Sequence, residues 1–211
     1  MERMKAIEAD LKGYYEEKMA SHGPNAMGVG WKNEMAQIIR FDQLYRIINE
    51  QKDLSINDLG CGLGDFFEYL LKKGCSNFIY RGYDMLESML TLAREKFPAS
   101  DQAKFIQINN SSEMETADYT VASGIFNLKY GMDDKAWKEY ILDTLQAINE
   151  KSSKGFAFNM LTSYSDKEFM QPELYYSDPL FFFDHCKRNY SKNIALLHDY
   201  YEYDFTILVR K

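Results

Sequence analysis

The sequence predicts an α/β fold with a doubly wound, mostly parallel seven-stranded sheet, helices on both faces and an N-terminal helical cap. Three observations support this prediction. A short apolar stretch meets three glycines at alternate positions and then an amphipathic segment, over residues 55–66. Strand-like and helix-like stretches alternate from there to residue 161, which favours parallel strands joined by crossover helices. Two apolar stretches, 194–198 and 203–209, flank a short turn and predict a terminal hairpin, so the last strand is antiparallel.

The individual elements follow from hydrophobic period and from breakers. Helices are predicted where apolar residues recur at helical spacing and where glycine or proline then ends the pattern: 1–20, 33–49, 66–73, 86–97 and 133–150. Strands are predicted over short apolar runs bounded by polar turns: 55–59, 78–84, 104–109, 117–122 and 156–161, the last preceded by a turn over 151–155.

Length and charge limit the classes of function. A chain of 211 residues suits one domain, which we divide into a helical cap or lid over 1–50 and a core over 51–211. The net charge of −7 argues against a nucleic-acid partner, because phosphate binding needs a basic surface.

The expected compartment is the cytoplasm. No apolar run approaches the ~20 residues of a membrane span, and the first residues lack the apolar core of a signal peptide. The three cysteines, Cys61, Cys75 and Cys186, are odd in number and lack metal-ligand spacing, so we expect reduced thiols, no metal and no membrane association. The oligomeric state stays open.

The glycine turn carries the functional signal. Its pattern is Asp58-x-Gly60-x-Gly62-x-Gly64, whereas a dinucleotide fingerprint would require glycine where Asp65 stands. A nucleotide-linked oxidoreductase is therefore disfavoured. The pattern closely resembles motif I of the class I S-adenosylmethionine-dependent methyltransferases.

A second landmark is the predicted strand that ends in Asp84. This residue lies 20 positions after Gly64, a suitable distance for a carboxylate that meets ribose hydroxyls. The following Met85 resembles the family position that often touches adenine. The alternative for Asp84 is an N-cap of the next helix, and one residue can do both.

The resemblance covers roughly residues 34–211, with its specific motifs confined to 56–66 and 78–89. It implies a sheet whose antiparallel last strand is inserted beside the fifth. It also implies a cofactor site for S-adenosylmethionine made by Asp58, Gly60, Cys61, Gly62, Gly64, Asp84, Met85, Asn109, Asn110, Ser123 and Arg40. Asn109 and Asn110 stand where many members carry aspartate, so their carry-over departs from the family pattern.

The N-terminal region leaves two alternatives open. Residues 21–31, with three glycines, a proline and Trp31, are either a lid over the cofactor or a plain connection with Trp31 packed on the sheet. Arg40 lies within an apolar helix face, where an unpaired charge is costly. It reaches either the methionyl carboxylate of the cofactor or an acid of the sheet.

The catalytic candidates lie late in the chain. The strand that ends at His198 should point its carboxyl end to the ligand side of the sheet, so His198 is a candidate base and Tyr164 a second candidate. The alternative is a surface hairpin with partly buried tyrosines. Aromatic residues near the same rim could build the acceptor pocket: Trp31, Phe126, Tyr164, Tyr175 and Tyr176.

The family resemblance implies methyl transfer to an oxygen, nitrogen or carboxylate acceptor on a small molecule. The turn after the fourth strand, 123–127, lacks the Asn/Asp-Pro-Pro-Tyr/Phe signature of enzymes that methylate nucleobase amines and planar amides. Two alternatives stay open: a protein or peptide methyltransferase, and a non-catalytic S-adenosylmethionine-binding protein.

Overall fold

The structure is a computed structural model that describes residues 2–49, 53–98, 100–129, 131–200 and 202–211, with side chains from residue 12 onward. The predicted apolar side of the first helix includes Met4, Ile7 and Leu11, whose side chains lie outside the described residues.

The described residues form one seven-stranded sheet of order β3-β2-β1-β4-β5-β7-β6. Its strands are β1 Leu54–Leu59, β2 Phe78–Asp84, β3 Ala103–Gln107, β4 Ala117–Ala122, β5 Ser152–Leu161, β6 Asn193–Leu197 and β7 Asp204–Arg210. Strands β1 to β5 pair in parallel, whereas β7 runs antiparallel between β5 and β6. The predicted fold class, including the antiparallel strand beside the fifth, is confirmed.

The helices cover both faces of this sheet. They are α1 Glu2–His22, α2 Glu34–Tyr45, α3 Asp65–Lys72, α4 Glu87–Lys96, α5 Asp134–Glu150 and α6 Pro179–Asn189. Helices α2, α3 and α4 pack through Leu44, Leu70 and Leu90 on one face. Helices α5 and α6 pack through Trp137 and Phe182 on the other. Burial of these apolar faces supplies the main driving force for the layered fold.

One predicted boundary is wrong. The predicted turn over 151–155 is largely strand, because β5 begins at Ser152. The Ser152 hydroxyl contacts the Thr120 hydroxyl of β4 at 2.7 Å and donates to Ile148 O at 2.7 Å. Gly155 has a φ of 158°, which is extended backbone. The polar residues that suggested a turn are therefore held in the sheet by side-chain hydrogen bonds and by pairing with β4.

The C-terminal half of α1 lies over the ends of β1 and β2. Tyr15 and Met19 of α1 pack on a small cluster of Leu63, Leu86 and Met89, which follow those two strands. The helical cap thus covers the rim where the carboxyl ends of the parallel strands meet, which is the ligand side of open α/β sheets.

Candidate functional site

A cavity of about 560 Å³ lies at this rim. The turns after β1 and β4 form its floor, and α1 together with residues 27–32 forms its cover. A volume of this size is typical of small-molecule and cofactor sites.

The turn after β1 adopts a conformation that requires glycine. Gly60 and Gly64 both have a φ of 75°, in the left-handed region that side chains rarely adopt. A Cβ added at Gly60 would lie 2.2 Å from Ile125 Cγ2 of the turn after β4. The Gly60 and Cys61 N–H groups donate to Tyr83 O of β2 at 2.7 and 3.1 Å. The turn is therefore fixed between its two neighbouring strand ends.

Asp84 is held by backbone donors at the end of β2. Its Oδ2 accepts from the Gly62 N–H at 3.0 Å and its Oδ1 from the Leu86 N–H at 3.0 Å. Burial raises the pKa of Asp84, and the backbone N–H groups oppose that shift. Because one bond reaches the glycine turn and the other the start of α4, Asp84 links the two segments while it lines the cavity.

Asp58 is the most deeply buried carboxylate of the cavity, with 3% of its surface exposed. Its Oδ2 accepts from the Tyr80 hydroxyl. Burial raises the pKa of Asp58 to about 7, the charges of Asp84 and Asp65 add to the increase, and the Tyr80 bond opposes it. A buried cluster of acids favours a cationic group beside it.

Cys61 also lines the cavity, and its thiol is buried. Burial raises the pKa of Cys61, and the charges of Asp84 and Asp58 raise it further. The thiol therefore stays protonated, which is unfavourable for a nucleophile.

The cover of the cavity is packed onto its floor. Trp31 lies against Gly124, where an added Cβ would be 2.7 Å from the Trp31 Cη2 atom. The guanidinium carbon of Arg40 lies 4.7 Å from the Trp31 ring centroid, within cation–π range. Burial raises the pKa of Tyr15 in α1, and the charge of Asp84 raises it further. Helix α1 therefore lies close to Asp84. Trp31 thus packs at the rim of the sheet and lines the cavity; a lid function of residues 21–31 stays a prediction.

Arg40 is paired with the sheet. Its Nη2 forms ion pairs with Asp204 of β7 and with Glu202, the latter at 3.4 Å, and its Nη1 donates to Ala36 O at 2.7 Å. The structure therefore shows the salt bridge to an acid of the sheet. Arg40 also lines the cavity, and its role toward the cofactor stays a prediction.

Other predicted cofactor residues lie outside the cavity. Asn109 and Asn110 are exposed; the Asn109 N–H donates to the Glu113 side chain, and Asn110 Oδ1 accepts from the Ser112 N–H. Leu86, one position beyond Met85, lines the cavity instead of Met85. Asp58, Gly60, Cys61, Gly62, Asp84 and Ser123 all line it.

His198 and Tyr164 lie together on the surface near the same rim. Their ring centroids are 5.9 Å apart, and Tyr164 is 64% exposed. Strand β6 does point its carboxyl end to the ligand side, as predicted, but neither ring lines the cavity. Of the predicted aromatic wall, Trp31 lines the cavity, whereas Phe126 and Tyr175 belong to the core.

Several residues that line the cavity were not predicted from the sequence. Tyr14 and Lys18 of α1, Gln37 of α2, and Glu173 line the cavity, and so does Asp65. Asp65 accepts from Gln37 Nε2 at 3.0 Å and pairs with Lys96 at 2.7 Å. Only Asp65 carried a local signal, through its place directly after the glycine turn.

Comparison with known proteins decides the family. A protein of Mycobacterium tuberculosis named as the putative methyltransferase Rv1506c is 48% identical over 166 residues, which are 79% of this chain and 98% of that protein. The chain belongs to the class I S-adenosylmethionine-dependent methyltransferases. The methyltransferase uses S-adenosylmethionine as its cofactor. No protein-family model matches it.

Two further relatives of the methyltransferase are more distant. The ubiquinone/menaquinone biosynthesis C-methyltransferase UbiE of Campylobacter jejuni is 28% identical over 127 residues, 58% of this chain and 49% of that protein. The crystal structure of magnesium protoporphyrin IX methyltransferase from Synechocystis with bound S-adenosylmethionine superposes with a TM-score of 0.66. It covers 97% of each chain at 11% identity, which shows a common fold.

Proposed function

We propose that this methyltransferase transfers a methyl group to an oxygen, nitrogen or carboxylate of a small molecule. The observation that supports the proposal is the covered cavity. Helix α1 and Trp31 lie over the rim above the glycine turn, and 560 Å³ suits ligands of small size. A protein or peptide acceptor would need an open groove.

The residues of the cavity fit the cofactor. A carboxylate has about four lone-pair sites, and Asp84 uses two of them for the Gly62 and Leu86 N–H groups. The Met85 backbone N–H also interacts with Asp84, and the acceptor capacity that remains on the carboxylate is available to ribose hydroxyls. Asp58 and Asp65 place negative charge beside the glycine turn, which suits the ammonium group of the methionyl part. Leu86 and Met89 supply an apolar wall near Asp84 for the adenine.

S-adenosylmethionine supplies a methyl group that its sulfonium already activates. The chain's own contribution is to position the acceptor and exclude water, and proximity can be worth ~7–11 kcal/mol. In this proposal Trp31 and α1, which pack over the rim, exclude the water.

A base is needed only when the acceptor must lose a proton. We retain His198 and Tyr164 as predicted candidates at the rim. Glu173 is a further candidate, because it lines the cavity beside Tyr14, whose pKa is raised by burial and by the charge of Glu173.

Calorimetric titration of the full chain with S-adenosylmethionine, S-adenosylhomocysteine and NAD tests the cofactor site. We expect micromolar binding of the first two and none of NAD. Asp84→Ala should abolish binding, whereas Asp184→Asn, on the exposed face of α6, should not change it. Unchanged binding in Asp84→Ala would refute the site assignment.

The acceptor is then sought by homocysteine release over panels of small phenols, amines and carboxylic acids, with peptides as the comparison set. Turnover of peptides but of no small molecule would overturn the proposed acceptor class.

A further inference from the structure

A buried amide links β5 to the turn after β4. Asn159 is 0% exposed and lies in the interior of β5. Its Oδ1 accepts from the Gly124 N–H at 2.7 Å, and its Nδ2 donates to the Ser123 Oγ at 3.3 Å. Both polar atoms of this side chain therefore form hydrogen bonds with the same turn, that of Ser123 and Gly124.

The direction of these hydrogen bonds is fixed by chemistry. A backbone N–H can only donate, so the oxygen of the Asn159 amide must face Gly124 and its nitrogen must face Ser123. The Ser123 oxygen then accepts, and its own proton remains available. Among the described residues, the Ser123 hydroxyl has no second hydrogen bond.

Ser123 lies at the cavity, next to the turn that follows β1. Ser123 directly follows Ala122, which pairs with Leu59 of β1, and Gly60 directly follows Leu59. Ser123 and Gly60 both line the cavity. Ser123 is therefore a neighbour of the glycine turn across the strand ends.

The charges around this turn are separated. Asp58, Asp65 and Asp84 lie on the β1 and β2 side, where they favour cationic groups and hydroxyls and disfavour an anion. Ser123 supplies a donor on the β4 side. The carboxylate of a methionyl group needs hydrogen-bond donors, and Ser123 offers one away from the three aspartates, in a cavity that Glu173 and the cations Lys18, Lys32 and Arg40 also line.

We propose that Asn159 is a positioning residue that fixes the polarity of the Ser123 hydroxyl, so that Ser123 donates a hydrogen bond to the methionyl carboxylate of the cofactor. The inference rests on the proposed cofactor site. An oxygen of the methyl acceptor has the same chemistry, and the test separates the two sources.

The test uses calorimetry on the full chain with two probes. S-adenosylhomocysteine carries the methionyl carboxylate, whereas methylthioadenosine is a similar nucleoside thioether without the amino-acid end. Ser123→Ala removes the donor. Asn159→Asp keeps an acceptor for the Gly124 N–H but makes Ser123 donate to the new carboxylate, which consumes its proton. Each variant should weaken S-adenosylhomocysteine binding about tenfold and leave methylthioadenosine binding within about twofold.

The double variant distinguishes an effect that acts through the Ser123 hydroxyl from direct repulsion of the ligand by the new carboxylate. If Asn159→Asp acts through Ser123, adding Ser123→Ala should cause no further loss, whereas direct repulsion by the new carboxylate would add to it. Asn57→Leu is the matched control, because Asn57 is also a 0% exposed strand amide but bonds to Glu115 O at 2.7 Å. It should leave the ratio of the two affinities unchanged.

The outcomes are distinct. Unchanged S-adenosylhomocysteine binding in Ser123→Ala would overturn the proposal and assign the donor to the acceptor side. Equal losses for both probes, or additive losses in the double variant, would also overturn it. Should Asn159→Asp fail to fold by circular dichroism, Ser123→Ala alone still decides whether the donor meets the carboxylate. Failure of the unmodified chain to bind S-adenosylhomocysteine would instead refute the proposed cofactor site.

Discussion

The buried carboxylate of Asp58 should make stability depend on pH in an unusual direction. Its pKa is raised from 3.8 to about 7 in the folded chain. The folded state therefore binds more protons than the unfolded chain between these two values, and the free energy of unfolding falls as the pH rises through that interval. The interval spans about three pH units at about 1.4 kcal/mol each, so the ionised group costs on the order of 4 kcal/mol above pH 7.

Asp58→Asn removes this cost and leaves an oxygen that can accept from the Tyr80 hydroxyl. We expect the substitution to stabilise the protein by a few kcal/mol at pH 8 and to change little below pH 4. Urea denaturation of both proteins at pH 4, 6 and 8 measures the difference. The same variant should weaken S-adenosylmethionine binding, because the carboxylate beside the ammonium group is lost.

A stability difference that is the same at all three pH values would refute the reasoning, since it would mean that Asp58 does not change its charge within the interval. Asp118→Asn is the comparison. Its hydrogen bonds to Ser55 and the charge of Lys154 outweigh burial and lower the pKa of Asp118, so that variant should lose stability at neutral pH.

Three further predictions concern packing and charge. Gly60→Ala should cost at least about 2 kcal/mol more in urea denaturation than Gly74→Ala, because both positions are left-handed but only Gly60 meets a neighbouring side chain; equal costs would contradict this. Arg40→Leu should lose about 3–5 kcal/mol by the same measurement, because it leaves the charge of Asp204 buried and unpaired, and a loss below about 1 kcal/mol would exclude a buried pair. Trp31→Ala should speed the release of S-adenosylhomocysteine in stopped-flow fluorescence while the melting temperature changes little, and an unchanged rate would show that Trp31 does not cover the cofactor.

Local patterns were sufficient to predict the sheet. Glycines at alternate positions after an apolar run define the first strand, turn and helix, and alternation along the chain then defines the parallel order. The terminal hairpin could be predicted because both of its strands are apolar and close to each other in the sequence. The turn over 151–155 was wrong because serine hydroxyls can bond within a sheet as well as in turns, and composition does not distinguish the two.

The residues that line the cavity were only partly predictable, because segments that are distant in the sequence come together to form it. Asp58 and Asp84 follow from their places at strand ends. Asn159 has no sequence signal, since its role comes from a turn 35 positions away. His198 lies at the predicted rim but points outside the cavity, because strand topology fixes the end of a strand and leaves the direction of the last side chain open.

The place of β7 has a consequence for synthesis of the protein. In the part of the chain that the structure describes, strand β6 pairs with β7 alone, and β7 follows it in the chain. During translation the free edge of β5 therefore stays unpaired until residues 204–210 have left the ribosome. Its apolar side chains include Phe156, Phe158 and Met160, and an unpaired apolar edge can pair with a strand of another nascent chain. Completion of the sheet is thus a late event, and the period of exposure is set by the rate at which the ribosome adds residues 162–210.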